Sequence, residues 1–152
     1  MTTTTPLLLI TADPSHPLAH LALRYARTYL ANTDTNNNDT SNNDKTDNSD
    51  NNGNGLAPLH VFFYADAANT ANRLRWQSAD QMNITKAWQK LAKQYQLTLS
   101  VCVSTALSRG ISDSENSTRH QLDSENLAAG FKLVGLSELA MMMQGDCRLL
   151  QF

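Results

Sequence analysis

Short apolar runs alternate with segments of helical periodicity along this chain, and this alternation limits the fold more than any other feature. Residues 7–10 form a continuous apolar run, and residues 59–64 form a second one that contains a single His. Apolar runs of this length, bounded by turn residues, are typical of strands buried on both faces of a sheet. Further strands are predicted at 97–103, 131–134 and 147–152.

Helices are predicted between the strands. The first begins at Pro17, with Ser15 or His16 at the capping position, and the second covers 84–95. The predicted apolar stripe of the first helix, at the i, i+3, i+4 spacing, comprises Leu18, Leu21, Ala22, Tyr25, Ala26 and Tyr29. Short helices are predicted at 104–108, 124–129 and 137–144, and a polar loop at 111–123.

Strict alternation of strands and helices favours parallel pairing with right-handed crossovers. We therefore predict an α/β fold, a three-layer α/β/α domain with a five-stranded, mostly parallel sheet and flavodoxin-like connectivity. The domain is expected to cover residues 1–152.

One segment does not fit this pattern. Residues 32–55 contain ten Asn and five Asp. Such a composition cannot bury enough apolar area to offset an ordering cost of about 1–2 kcal/mol per residue. We predict a low-complexity, disordered surface loop inserted into the domain, which the fold tolerates because loop-closure entropy grows slowly with length.

Charge and hydropathy exclude several classes of function. The net charge of −2 becomes +2 when the one Lys and five Asp of residues 32–55 are set aside, and the remainder has no basic run. This argues against a dedicated nucleic-acid surface. No stretch approaches the roughly 18 consecutive apolar residues of a membrane span. The opening MTTTTPLLLI lacks the charged and apolar regions of a secretory signal, so a cytoplasmic location is expected.

The two cysteines point to different roles. Cys102 and Cys147 lie 45 positions apart, without a CxxC motif or a nearby His pair, which argues against a disulfide scaffold and a structural zinc site. Sites in open parallel sheets form outside the carboxyl ends of the strands, where Cys102 is the only strong nucleophile expected. Cys147 is predicted at the amino end of the last strand, too far from Cys102 for a dithiol pair and suited to a structural role.

The predicted surroundings of Cys102 leave two interpretations open. Strand alternation places it on the same face as Ser100, and Ser104 and Thr105 follow at the start of a helix whose free N–H groups favour an anion. A helix end contributes only about 0.3–1 kcal/mol, so a cation is also needed, and Arg109 is near enough in sequence to supply it. Cys102 is therefore either a reactive thiolate or a packed core thiol.

Other candidate groups carry weaker signals. Asp13 and Asp66 could form a carboxylate site at the strand ends, but turn chemistry explains both equally well. The four His residues show no metal spacing, and no phosphate-binding glycine motif is present, so no metal or cofactor is expected. Met141–Met143 suit helix packing or a partner contact, and Trp76 in a polar loop suits an interface.

The chain resembles the DsrE-like sulfur-carrier family over nearly its whole length. The most specific block reads Cys-x-x-x-Ala-Leu-x-Arg-Gly, at residues 102–110. Further blocks that carry the resemblance are residues 61–64 with 71–72, residues 87–91, 126–127, 130–133, 135–136 and 139–140, and the closing segment from Cys147 to Phe152. The chain departs from the family in the Asn/Asp-rich segment, where related chains have a short turn.

The resemblance implies a cytoplasmic sulfur relay that serves 2-thiolation of the wobble uridine in tRNA, in which Cys102 bears a persulfide. The implied partners are TusB-like and TusC-like subunits in a dimer of heterotrimers, a TusA-like sulfur donor and a TusE-like sulfur acceptor. Neither a cofactor nor direct nucleic-acid binding is implied. Three alternatives remain: a DsrE-type subunit of a sulfur-oxidation pathway, a non-catalytic scaffold subunit with a packed Cys102, and, more distantly, a flavodoxin-like ligand binder.

Overall fold

A computed structural model describes residues 4–38 and 58–152, with side chains for 4–34 and 58–152. Within these ranges the chain forms one five-stranded sheet with the strand order β4-β3-β2-β1-β5. Every neighbouring pair is parallel, which confirms the predicted sheet. The strands are β1 (Thr5–Ile10), β2 (His60–Phe63), β3 (Leu99–Cys102), β4 (Phe131–Val134) and β5 (Cys147–Gln151).

Five α-helices and one 3-10 helix connect these strands in the described residues. The helices are α1 (Pro17–Asn38), the 3-10 helix (Ala65–Ala71), α2 (Ile84–Tyr95), α3 (Val103–Leu107), α4 (Ser114–Arg119) and α5 (Leu136–Met142). The imidazole Nδ1 of His16 accepts the N–H of Leu18 at 3.1 Å, as expected for a cap of α1. None of the helices in the described ranges is long and apolar enough to cross a membrane.

Two local predictions are wrong between β3 and β4. The predicted loop at 111–123 contains α4, because the Asp113 carboxylate accepts the N–H of Asn116 and caps a helix there. The predicted helix at 124–129 does not form, and the segment is irregular. Leu127 forms an antiparallel bridge with Asn72, and the Asn126 side chain accepts the Ser112 N–H, so long-range contacts replace the local helical bonds.

The strand order explains how the helices are distributed over the sheet. The steps from β1 through β2 and β3 to β4 all run in one direction, and right-handed crossovers in one direction place their helices on the same face. The last step returns to the free edge of β1, so α5 lies on the opposite face. This order differs from the 2-1-3-4-5 order of flavodoxin. The predicted flavodoxin-like connectivity is therefore wrong, because the direction reverses only after β4.

We call the side covered by α1 and α2 the first face, and the side covered by α5 the second face. The first face holds the main core, in which Trp88 of α2 is 1% exposed. Its ring meets Phe63 of β2 edge-on, with centroids 5.5 Å apart. The second face has a much smaller core of Leu7, Phe62 and Cys102.

The buried stripe of α1 is rotated relative to the prediction. Leu18 and Leu21 are exposed, and the residues that pack inward are Ala19, Ala22, Leu23, Ala26 and Leu30. The predicted stripe had correctly included Ala22 and Ala26, whose small side chains let the helix approach the sheet closely. A helix turns by about 100° per residue, so a small rotation of α1 changes which residues beside Ala22 and Ala26 face the sheet. Leu23 and Leu30 face it, whereas Leu18 and Leu21 face outward.

The first part of the predicted disordered loop is wrong, because α1 continues through Asn38 and includes residues 32–38. The Thr33 hydroxyl donates to the Leu30 carbonyl at 2.7 Å. Desolvation and the hydrogen bond to the Asp34 carboxylate raise the pKa of Tyr95. This hydrogen bond joins α1 to α2. Extending an existing helix costs less than nucleating one. The rest of the predicted loop, 39–55, lies outside the described residues, and the assignment of 1–152 to one domain stays a prediction.

Candidate functional site

Cys102 is the last residue of β3 and the N-cap of α3, at the carboxyl edge of the sheet. Its side chain packs on the second face with Leu7 and Phe62, whereas Leu99 and Val101 belong to the core of the first face. This confirms the predicted orientation of the strand. The side chain is only 2% exposed, so the thiol lies inside the molecule rather than at an open mouth.

The cover over Cys102 is thin. Val134 of β4 is its Cα partner in the sheet, and Leu139 and Met142 of α5 pack against the same cluster. None of the residues of α5 is itself buried. In the described part of the chain, the apolar cluster that contains the thiol is therefore covered by a short helix, which is held to the sheet through half-buried side chains.

The three predicted supporting residues lie in α3 and the turn after it, but only one of them contacts Cys102. The Thr105 hydroxyl donates to the Cys102 carbonyl at 3.2 Å. Among the described residues, no hydrogen bond or ion pair joins Ser104 or Arg109 to Cys102. Ser104 is exposed. The predicted cation at the thiol is thus directed elsewhere.

Arg109 instead forms an ion pair with Asp66 of the 3-10 helix, with Nη2 and Oδ1 2.8 Å apart. The guanidinium also donates to the Thr105 carbonyl at 3.1 Å. Both side chains are partly exposed, so the pair itself contributes about 0–1 kcal/mol. Its main effect is positional, because Arg109 links the 3-10 helix to α3, whose Thr105 holds the Cys102 backbone.

The start of α3 does not stabilise the Cys102 sulfur by a hydrogen bond in the way that the sequence predicted. Helix α3 has five residues, and the side chain of its N-cap, Cys102, makes no capping hydrogen bond. The sulfur is turned toward the apolar second face rather than toward the N–H groups of α3. Stabilisation of a thiolate at Cys102 therefore requires either a rearrangement of the residues around it or a charged group from a visiting molecule.

The two candidate carboxylates are engaged separately. Asp13 accepts the Ser15 N–H at 2.9 Å and the Asn69 side-chain amide at 3.2 Å. Partial burial acts to raise the pKa of Asp13, but these hydrogen bonds and the nearby charge of Arg75 lower it overall. Asp66 is paired with Arg109. In the described part of the chain, no group of three His, Cys, Asp or Glu side chains is placed to hold a metal ion.

Cys147 is half-buried at the start of β5, and both cysteines are free thiols. The strand register places Cys147 level with Thr5, on a strand three positions away from β3 in the sheet. Along the strands, Cys147 lies about six residues closer to the amino edge of the sheet than Cys102 does. These offsets correspond to about 14 Å across the sheet and about 20 Å along it. The prediction that the cysteines are too far apart to pair is confirmed.

A groove that the sequence did not reveal lies beside Cys102 on the second face. It has a volume of about 260 Å³ and lies between α5 and residues of β2, β3 and β4. Ser100, Lys132 and Val134 line its floor, and Glu138 and Met142 line its helical side. Only the Met141–Met143 run hinted at it, since methionines are common at adaptable surfaces.

Comparisons with known proteins agree with the fold and with the family resemblance. The family model described as "DsrE/DsrF-like family" matches residues 7–152. Sulfurtransferase TusD of Sodalis glossinidius is 40% identical over 92 residues, which cover 60% of this chain and 71% of the relative. A sulfurtransferase TusD homolog of Vibrio parahaemolyticus is 42% identical over 60% of this chain and 70% of its own length.

Solved structures contain the same fold. The crystal structure of the YchN protein from E. coli matches with a TM-score of 0.64 and covers 99% of this chain and 100% of its own. Its sequence identity of 17% supports the fold alone. The family match and the named relatives confirm the resemblance predicted from the sequence blocks, and they agree with the prediction of a sulfurtransferase. The chain belongs to the DsrE/DsrF-like family.

Proposed function

We propose that this chain is a sulfur-relay subunit that accepts persulfide sulfur on Cys102 and passes it to another protein thiol. The supporting observation is the position of Cys102, which ends an interior strand at the carboxyl edge of the sheet. Relatives of this chain are named sulfurtransferases. In this proposal the donor is a TusA-like protein and the acceptor is a TusE-like protein.

Each transfer is a thiol exchange that requires no cofactor. The Cys102 thiolate attacks the outer sulfur of the donor persulfide, a new S–S bond forms, and the donor's own S–S bond breaks. The electron pair of the broken bond leaves on the donor sulfur as a thiolate. In the second transfer an acceptor thiolate attacks the outer sulfur on Cys102, and Cys102 becomes the leaving thiolate. The transferred sulfur keeps its oxidation level throughout.

The surroundings of Cys102 suit a carrier of a reactive group. Leu7 and Phe62 are fully buried beside it, and an apolar, water-excluding site limits side reactions of an intermediate. Thr105 holds the Cys102 backbone and is in turn held by Arg109. The sulfur thus starts from a fixed position, which favours oriented attack.

The proposal extends to the pathway and the assembly. The relay serves 2-thiolation of the tRNA wobble uridine in the cytoplasm, and the chain assembles with TusB-like and TusC-like subunits as a dimer of heterotrimers. The absence of a basic run in the sequence suits a subunit that handles protein thiols and leaves tRNA to others. Copurification with the products of neighbouring genes, followed by native mass spectrometry, tests the assembly. A chain that elutes alone or only with copies of itself contradicts it.

The role of Cys102 is tested by intact-mass spectrometry after incubation with a persulfidated TusA-like donor. We expect wild type to gain the mass of one sulfur atom, Cys102→Ser to gain none, and the control Cys147→Ser to gain as much as wild type. A label that persists in Cys102→Ser contradicts the proposal.

A non-catalytic scaffold is the second candidate, and the 2% exposure of Cys102 is the observation that favours it. In that case the assembled complex transfers sulfur from donor to acceptor at the same rate with Cys102→Ser as with wild type. The carrier proposal instead expects this variant to stop the transfer. Acceptor persulfide, measured by mass in both complexes, separates the two candidates.

A further inference from the structure

A buried nucleophile needs a route to its substrate, and the second face offers one. We propose that sulfur reaches Cys102 through the groove beneath α5 and that Met142 is the gate between the groove and the thiol. This inference rests on the proposed function, because only a Cys102 that receives sulfur needs a gate. The route itself can be measured without any sulfur transfer.

The groove and the thiol lie on the same face of the same strand. Ser100 lines the groove, and Cys102 follows it two positions later in β3. Side chains two residues apart in a strand point to the same side and are separated by about 7 Å along it. The end of the groove is therefore about one side-chain length from the sulfur.

Two residues, Val134 and Met142, which we call the wall, belong both to the groove lining and to the apolar cluster that contains Cys102. Val134 is fixed in β4 as the sheet partner of Cys102. Met142 belongs to the last turn of α5, which has no buried residue, and its unbranched side chain changes rotamer easily. Met142 is therefore the part of the wall that can move.

The shape and charge of the groove indicate what enters it. Its volume of about 260 Å³ is too small for a folded element, and it suits a sulfur carried on one slender, unbranched side chain. Its lining includes one basic side chain, Lys132, one acidic side chain, Glu138, and His60. The groove therefore selects by width rather than by net charge, and the donor presents its persulfide on an extended segment.

Leu139 provides a matched control for this gate. It lies three residues before Met142 on α5 and packs against the same cysteine cluster, but it does not line the groove. If α5 must lift as a whole to expose the thiol, Leu139→Ala and Met142→Ala weaken its attachment in the same way. If the route runs past Met142, only the second change opens it.

The test measures the alkylation rate of Cys102 by iodoacetamide in the full chain, with peptide mass mapping to separate it from Cys147 and the wild-type rate as the reference. We expect Met142→Ala to raise the rate by about tenfold or more, and Leu139→Ala to raise it by much less. Equal increases in the two variants, or no increase in Met142→Ala, overturn the proposed gate.

A second variant keeps the test decisive if Met142→Ala lowers folding stability. Met142→Phe keeps the position apolar but widens the obstruction, so we expect slower alkylation of Cys102 with an unchanged thermal midpoint. Faster or unchanged alkylation in this variant also contradicts the gate. If wild-type Cys102 accepts sulfur from the donor and these variants fail to behave as stated, the proposed function stands and only the route is wrong.

Discussion

The two faces of the sheet differ sharply in how they are covered. The first face lies under α1, α2 and the 3-10 helix and contains fully buried large side chains such as Phe63 and Trp88. Within the described residues the second face lies under α5, and its buried apolar cluster consists of Leu7, Phe62 and Cys102. The cysteine proposed to carry sulfur thus belongs to the weakly covered side.

This difference follows from chain connectivity. Three successive crossovers in one direction place their helices on the first face, and the reversed crossover to β5 places α5 on the second. Elements with few buried contacts open locally at a smaller free-energy cost than the core does. The molecule therefore separates stability, which the first face supplies, from access to the thiol, which the second face permits.

The largest expected effect lies in the core of the first face. Trp88→Ala removes a ring that is 1% exposed and packs on Phe63, so we expect the free energy of unfolding to fall by about 3–5 kcal/mol. Trp76→Ala is the control, since Trp76 is 83% exposed, and we expect a change within about 0.5 kcal/mol. Urea denaturation followed by circular dichroism measures both. Similar losses in the two variants would show that the first face is not the stabilising side.

The same substitution on each face sharpens the comparison. Leu23 of α1 is 1% exposed, and Leu23→Ala is expected to cost about 2–5 kcal/mol. Leu139 of α5 is half-buried, and Leu139→Ala is expected to cost about 1 kcal/mol or less. Urea midpoints of the two variants give the ratio. A cost for Leu139→Ala equal to that for Leu23→Ala would mean that α5 is anchored as firmly as α1.

The smallest expected effect is a pH dependence within the cover of the first face. Asp13 binds Asn69 of the 3-10 helix, and although burial acts to raise the pKa of Asp13, its hydrogen bonds lower it overall. A lowered folded-state pKa gives stability that is present above the ordinary Asp value of about 4 and is lost as pH falls through the lowered value. We therefore expect Asp13→Asn to lower the urea midpoint at neutral pH and to differ less from wild type near pH 3. A constant difference across this range would argue against a role for the Asp13 charge.

Much of the fold was readable from periodicity. The apolar runs correctly predicted five parallel strands, and the spacing of residues 84–95 gave α2 with its bounds. Predictions failed where local signals were short or ambiguous. Helix α4 depends on a single Asp113 cap. Asn126 and Leu127 are held in a non-helical conformation by contacts to Asn72 and Ser112, which lie far away in sequence.

The candidate site was predictable in part. The strand period placed Cys102 at the carboxyl end of β3 and on the face opposite Val101, and both placements hold. The role of Arg109 was not predictable, because its partner Asp66 lies 43 residues away. Sequence proximity suggested a contact with the thiol, whereas the guanidinium is held by the 3-10 helix.

By itself the sequence determined the strands, their parallel pairing and the direction in which the Cys102 side chain points, because these follow from local periodicity and from the handedness of crossovers. Only the tertiary structure decided that the chain reverses direction after β4 and, within the described residues, leaves one face under a single short helix. It also decided that Leu139 and Met142 pack against the apolar cluster that contains the thiol. These contacts join residues distant in sequence, and they form through packing that no local pattern encodes.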